Sequence, residues 1–167
     1  MAPEMHHNSA VTEFAMPHPS PMTQRTVRLL IADDHVMFRK SLRTLLELDP
    51  SFEVVGEAGN GRRLLALVDT TPADVILLDI GMPGLDGFEV LESLDAQRRA
   101  AVIVLTANAT RDEIARVGRL GAGGLLLKDV ELEALHGAVR RVASGDQALP
   151  CPGSDTGDRS GGEAPQP

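Results

Sequence analysis

Five polar residues stand at the ends of apolar runs. Asp33 and Asp34 follow Val27–Ala32 (VRLLIA), Asp79 closes Val75–Asp79 (VILLD), Thr106 closes Ala101–Thr106 (AVIVLT), and Lys128 follows the short run Gly123–Leu127. If these runs are parallel strands, their carboxyl ends share one rim. In open α/β sheets ligands bind at that rim, where the strand order reverses. Three carboxylates converging there repel one another. Two like charges ~4 Å apart cost on the order of 4 kcal/mol at an effective dielectric of 20. A hard divalent cation relieves this, and Mg²⁺ typically takes one or two carboxylates, several waters and a phosphate oxygen. Lys128 adds a mobile positive charge, and the Thr106 hydroxyl can donate to an oxyanion. The set suits phosphoryl transfer, where positioning and charge neutralisation carry most of the catalysis. An aspartate that attacks phosphorus gives an aspartyl phosphate. Taken singly, each residue reads more simply as a turn former or a helix cap. Five of them at matching strand ends, in this order, favour a pocket.

The elements that must hold these residues alternate along the chain. Between the runs above, His35–Leu48 places Phe38, Leu42, Leu45 and Leu46 on one helical face. Phe52–Ala58 is a more polar strand suited to a sheet edge, and Gly61–Thr70 a helix with Leu64, Leu65 and Val68 together. Gly84–Leu94, Asp112–Leu120 and Glu131–Ser144 are the remaining expected helices, with Gly145 where a C-terminal cap belongs. Five strands each followed by a helix imply a parallel sheet with helices on both faces and right-handed crossovers.

Composition narrows the function classes. With 43% hydrophobic and 24% charged residues the chain has an ordinary globular mix, so wholesale disorder is excluded. No apolar run approaches the ~20 residues a bilayer span needs, and the start lacks a basic stretch followed by an apolar one. No membrane association is expected. A lone cysteine, Cys151, cannot form an internal disulfide, which fits a reducing, cytoplasmic compartment. The net charge of −8, with no Trp or Tyr, gives neither a basic excess nor stacking platforms for direct nucleic-acid contact. The expected domains are a disordered N-terminal extension over 1–25, an ordered domain over 26–146, and a flexible Gly/Pro-rich tail over 147–167 with no output domain. His6, His7 and His18 match no defined metal-site spacing.

The segments IADDH, VILLDIGMPGLDGFEVL, VLTA and GAGGLLLKD resemble the response-regulator receiver domain of bacterial two-component signalling. ADDHVMFRKSLRTLLE and GAGGLLLKD are most similar to the subgroup usually fused to a LuxR-type helix-turn-helix. The resemblance covers about residues 27–145. It implies a flavodoxin-like (βα)5 fold, a five-stranded parallel sheet of order 2-1-3-4-5. It also implies roles. Asp79 would be the phosphoacceptor. Asp34, Asp79 and the backbone carbonyl of Gly81 would ligate Mg²⁺ directly, and Asp33 would do so through water. Thr106 and Lys128 would contact the phosphoryl group. The donor would be a phosphohistidine on a sensor histidine kinase or phosphotransfer protein. The output would be a changed surface on the fourth and fifth expected helices and the strand between them, read by a downstream protein, with a second copy of the chain as a further candidate partner. The chain would catalyse only its own aspartyl phosphorylation and dephosphorylation.

The pattern departs from the family in places. Receivers commonly keep Tyr or Phe three residues before the lysine, and Leu125 stands there, so the usual threonine–aromatic coupling is altered. Asp129 follows Lys128 where many receivers have a proline and a cis bond; it reads as the N-cap of the last helix. Asp86 reads as a cap of the following helix, His35 as first-turn surface, and Asn108 as a residue at the pocket mouth. Three alternatives remain: a phosphate-independent interaction or dimerisation receiver, the receiver part of a longer DNA-binding regulator, and a Mg²⁺-dependent phosphohydrolase. The last is weakened because its second acid would fall at Gly81. A flavodoxin-type electron carrier is disfavoured because no phosphate-binding loop follows the first strand.

Overall fold

The computed structural model describes residues 25–149. Eleven elements follow one another among them: β1 (Val27–Ala32), α1 (Val36–Glu47), β2 (Phe52–Ala58), α2 (Gly61–Thr70), β3 (Val75–Asp79), α3 (Gly87–Ser93), α4 (Ala96–Ala100), β4 (Val102–Thr106), α5 (Arg111–Leu120), β5 (Gly124–Leu127) and α6 (Leu132–Ala143). The strands form one parallel sheet of order β2-β1-β3-β4-β5, as expected, with the more polar β2 at an edge. Every residue of β3 and β4 is buried. Their continuous apolar runs therefore reflect cover on both faces.

Two apolar clusters lie on opposite sides of the sheet. Leu30, Leu78, Val90, Leu91, Val104 and Val117 are among the residues on the α2, α3 and α5 side. Leu29, Ile31, Leu46, Leu77, Ile103 and Val139 are among those on the α1 and α6 side. The alternation along each strand divides its residues between the two clusters.

Several expectations change. Helix α4 was not anticipated. AQRRA buries nothing and has no apolar periodicity, and Asp95 starts it by accepting from the Arg98 amide at 2.9 Å. The fourth and fifth expected helices are therefore α5 and α6. Leu45, expected on the inner face of α1, is 42% exposed, while Leu42 and Leu46 are buried. The N-cap of α6 is Glu131, not Asp129. A turn in which the Val130 amide donates to the Leu127 carbonyl at 3.1 Å delays the helix by two residues. No peptide bond among the described residues is cis, so the Lys128–Asp129 bond is trans.

Contacts continue just outside 26–146 at both ends of the described residues. Arg25 is tied to Asp74 at 2.9 Å. At the other end Ala148 forms a parallel bridge with Gly124, its amide donating to the Gly123 carbonyl at 2.7 Å. Leu149 packs against the core. The readings of residues 1–24 and 150–167, including His6, His7, His18 and Cys151, lie outside the described residues.

Candidate phosphorylation and metal site

The carboxyl ends of β1, β3, β4 and β5 carry the residues singled out from the sequence. Strands β1 and β3 are direct neighbours, in register from Leu29 with Val75 to Ala32 with Leu78. Asp33 and Asp34 therefore leave β1 beside Asp79, the last residue of β3. Asp33 is fully buried and Asp79 nearly so. Ligand atoms of Asp33, Asp34, His35 and Asp79 all lie within 4.8 Å of one another.

Lys128 reaches into this group from the end of β5. Its Nζ donates to Asp33 Oδ2 at 2.7 Å and lies 3.3 Å from Asp79 Oδ2. Its backbone amide donates to the Thr106 carbonyl at 2.9 Å, which fixes the lysine loop to the tip of β4. The Asp79 carboxylate also accepts from the Gly81 amide at 3.0 Å. The loop behind Asp79 runs close to the strand. A Cβ on Gly87 would lie 2.6 Å from the Ile80 Cα and 2.8 Å from the Asp79 carbonyl oxygen, so only glycine fits there. Helix α3 is fixed at this spot by a reciprocal cap. Asp86 accepts from the Glu89 amide, and Glu89 accepts from the Asp86 amide, as the sequence led us to expect of Asp86.

The electrostatics follow from this crowding. Burial pushes the Asp79 carboxyl up, and the Asp33 charge adds to that; the Gly81 amide and Lys128 oppose it without cancelling it. Burial lowers Lys128, but hydrogen bonds and charge from Asp33 and Asp79 outweigh it and hold the ammonium above its usual value. Lys128 thus pairs directly with two of the three carboxylates, Asp33 and Asp79. Asp34 Oδ1 is buried and has no hydrogen-bond partner among the described residues. An orphaned carboxylate oxygen beside two more acids is an oxygen-rich, electron-rich donor set, which fits a hard divalent cation such as Mg²⁺.

Thr106 is buried, and its hydroxyl donates to the Asn108 carbonyl at 3.0 Å. It thus lies at the tip of the strand next to Asp79, turned to its own loop. Asn108 is exposed. Leu125 is 4% exposed and packs in the apolar cluster on the α5 side.

Three neighbours of the site were not read from the sequence as such. His35 is the N-cap of α1 and not merely helix surface. Its Nδ1 lies 3.3 Å from Asp33 Oδ1 and 3.3 Å from Asp34 Oδ1, and its amide donates to Asp33 Oδ1 at 2.7 Å. Arg39 donates to the Asp33 backbone carbonyl at 2.5 Å. Phe38 presents its ring to Lys128. All three come from the start of α1, where the apolar period reports only which side of the helix faces the sheet.

The comparisons with known proteins agree with this geometry. The family model of the response regulator receiver domain matches residues 29–140. The nitrate/nitrite response regulator protein NarP of Escherichia coli is 40% identical over 126 residues, covering 73% of this chain and 57% of that protein. The nitrate/nitrite response regulator protein homolog of Haemophilus influenzae is 35% identical over 127 residues, covering 75% of this chain and 61% of that protein. The chain thus spans less than two thirds of the length of these relatives. Among solved structures, the signal receiver domain of the response regulator NarL from Mycobacterium tuberculosis superposes with a TM-score of 0.65 at 35% identity, covering 72% of this chain and 98% of that one. With the family model spanning most of the sheet and its helices, the chain belongs to the response regulator receiver domain family.

Proposed function

We propose that this receiver is controlled by phosphorylation of Asp79. The observation that carries the reading is the meeting of Lys128 with both Asp33 and Asp79 beside the orphaned Asp34 Oδ1. Asp34, Asp79 and the Gly81 carbonyl would hold Mg²⁺ directly and Asp33 through water. The ion, when bound, supplies charge neutralisation for the phosphoryl oxygens. The donor is a phosphohistidine on a sensor histidine kinase or phosphotransfer protein. An Asp79 carboxylate oxygen forms the new bond to phosphorus as the phosphorus–nitrogen bond of the donor breaks, and the electron pair returns to the imidazole. Lys128 moves its contact from Asp33 toward a phosphoryl oxygen. Thr106 rotates its hydroxyl from the Asn108 carbonyl to another.

An aspartyl phosphate carries roughly two negative charges and three strong acceptor oxygens. New partners for Thr106 and Lys128 bias the loops after β4 and β5, and with them the face of α5, β5 and α6. That face is read by a downstream protein or by a second copy of the chain. The relatives' names describe response regulators, and some describe transcriptional regulators; any nucleic-acid contact in this system belongs to a segment other than the acidic receiver itself. A cytoplasmic location fits the kinase partner, and no helix among the described residues is long and apolar enough to cross a membrane.

Incubation of the purified chain with Mg²⁺ and acetyl phosphate tests the proposal by intact mass. A gain of one phosphoryl group, stable in acid and labile in base, is expected, and Asp79→Ala removes it. Persistent labelling of that variant would move the acceptor elsewhere. A wild type that neither acetyl phosphate nor a cognate kinase labels would favour a phosphate-independent interaction module, which the burial of Leu125 among aliphatic side chains also suits.

A further inference from the structure

Two carboxylates hold the Lys128 ammonium, and an aromatic ring stands beside it. Lys128 Nζ stands over the Phe38 ring, 4.7 Å from its centroid. That is inside the ~6 Å at which a cation is drawn to an aromatic face. Phe38 is half-buried and packs against the apolar cluster on the α1 and α6 side, so the ring is backed by the core. The lysine side chain is itself only 18% exposed, which leaves little water to compete for its charge.

We propose that Phe38 is a positioning residue for Lys128: its ring face seats the ammonium against Asp33 and Asp79, in the place from which it meets the phosphoryl group. The role rests on the phosphorylation reading above. A lysine stem has four rotatable bonds and loses substantial rotamer entropy when fixed. Hydrogen bonds from one side fix a direction without walling off the rest of the pocket. The ring supplies that wall, and its attraction varies gently with position. The ammonium can therefore slide from Asp33 toward a phosphoryl oxygen without breaking a directional bond. Arg39, the next residue of α1, holds the Asp33 carbonyl, so one helical turn sets both the lysine's acid and its aromatic seat.

The sequence makes the test direct, because the chain has only two lysines, Lys40 and Lys128. Lys40 is exposed on the surface of α1. In a ¹³C-labelled full-length chain the ε-methylene protons of Lys128 should be displaced upfield by the ring, well apart from those of Lys40. Phe38→Tyr should keep the displacement, and Phe38→Leu should abolish it while filling similar space. With Mg²⁺ and acetyl phosphate, labelling of the Phe38→Leu chain should be ~3- to 10-fold slower than wild type, at an unchanged Mg²⁺ affinity, and Phe38→Tyr should label near the wild-type rate. Equal slowing of Phe38→Leu and Phe38→Tyr, or a wild-type rate in Phe38→Leu, would overturn the role. An undisplaced methylene in a wild type that labels would overturn the seat alone. A displaced methylene in a wild type that never labels would overturn the phosphorylation reading, and the positioning role with it.

Discussion

The surroundings of Asp79 work against its ionised form. Burial and the Asp33 charge raise its pKa above the unfolded value, so the folded state disfavours the carboxylate. Stability is therefore lost as pH rises from the unfolded value of about 3.9 through the raised folded value. Asp79→Asn should unfold at a higher temperature than wild type at pH 7 in metal-free buffer, by ~4 °C for each kcal/mol recovered in a domain of this size. The gap should close below about pH 4, where neither state carries the charge. Lys128 keeps Asp33 as a partner in that variant, which limits the loss. A calorimetric scan showing Asp79→Asn less stable than wild type at pH 7 would contradict the electrostatic account. At this scale the sequence was informative where a charge interrupts an apolar run. Asp33, Asp34, Asp79 and Lys128 announce themselves that way. His35, Phe38 and Arg39 do not. Their contacts depend on how far α1 is rotated over the sheet, and a hydrophobic period cannot resolve one neighbour from the next.

The elements are tied together at the opposite end of the sheet by another acid. Asp74, just before β3, accepts from the Arg28 amide at 2.8 Å and from the Arg28 guanidinium at 3.3 Å, with Arg25 at 2.9 Å. Its burial pushes the carboxyl up, but the Arg28 hydrogen bonds and the Arg28 and Arg25 charges outweigh it and hold the carboxyl below its usual range. The resulting stability is present above the unfolded value and lost as pH falls through the depressed folded one. Asp74→Asn should cost ~1 kcal/mol at pH 7 in urea unfolding, discounted for the exposed Arg25, and the difference should vanish on acidification. Gly87→Ala tests the junction of β3 with α3. Its methyl has no room against the Ile80 and Asp79 backbone, so a loss of ~3 kcal/mol, the upper end of what overpacking typically costs, is expected in the same measurement, together with slower labelling of Asp79. Strands and long helices were legible because their periods are strong. Helix α4 was not, since AQRRA shows only a cap at Asp95 and no apolar face. The start of α6 was misplaced because the turn over 127–130 leaves no composition signal.

For the whole molecule, ion binding and folding are one equilibrium. A cation that binds only the folded pocket stabilises the chain by RT ln(1 + [L]/Kd), ~2.7 kcal/mol at a hundredfold excess over Kd. Mg²⁺ should raise the melting temperature of wild type and have little effect on Asp34→Asn. An equal shift in both would place the ion elsewhere. The existence of five strands could be inferred from runs such as VILLD and VIVLT, but not which strand lies beside which. That order came from resemblance to a family, and the register of β1 against β3 is what brings Asp33 to Asp79. The bridge from Ala148 to Gly124 has a further consequence. Strand β5 is the last in the sheet, and its outer margin would otherwise offer bare amides and carbonyls to any passing extended peptide. Here Ala148 occupies part of that margin with main-chain bonds to Gly123 and Leu125. The backbone at Ala148 is therefore moored alongside the strand that leads into Lys128. A pull on that mooring and a shift of the ammonium would act on the same ribbon of backbone.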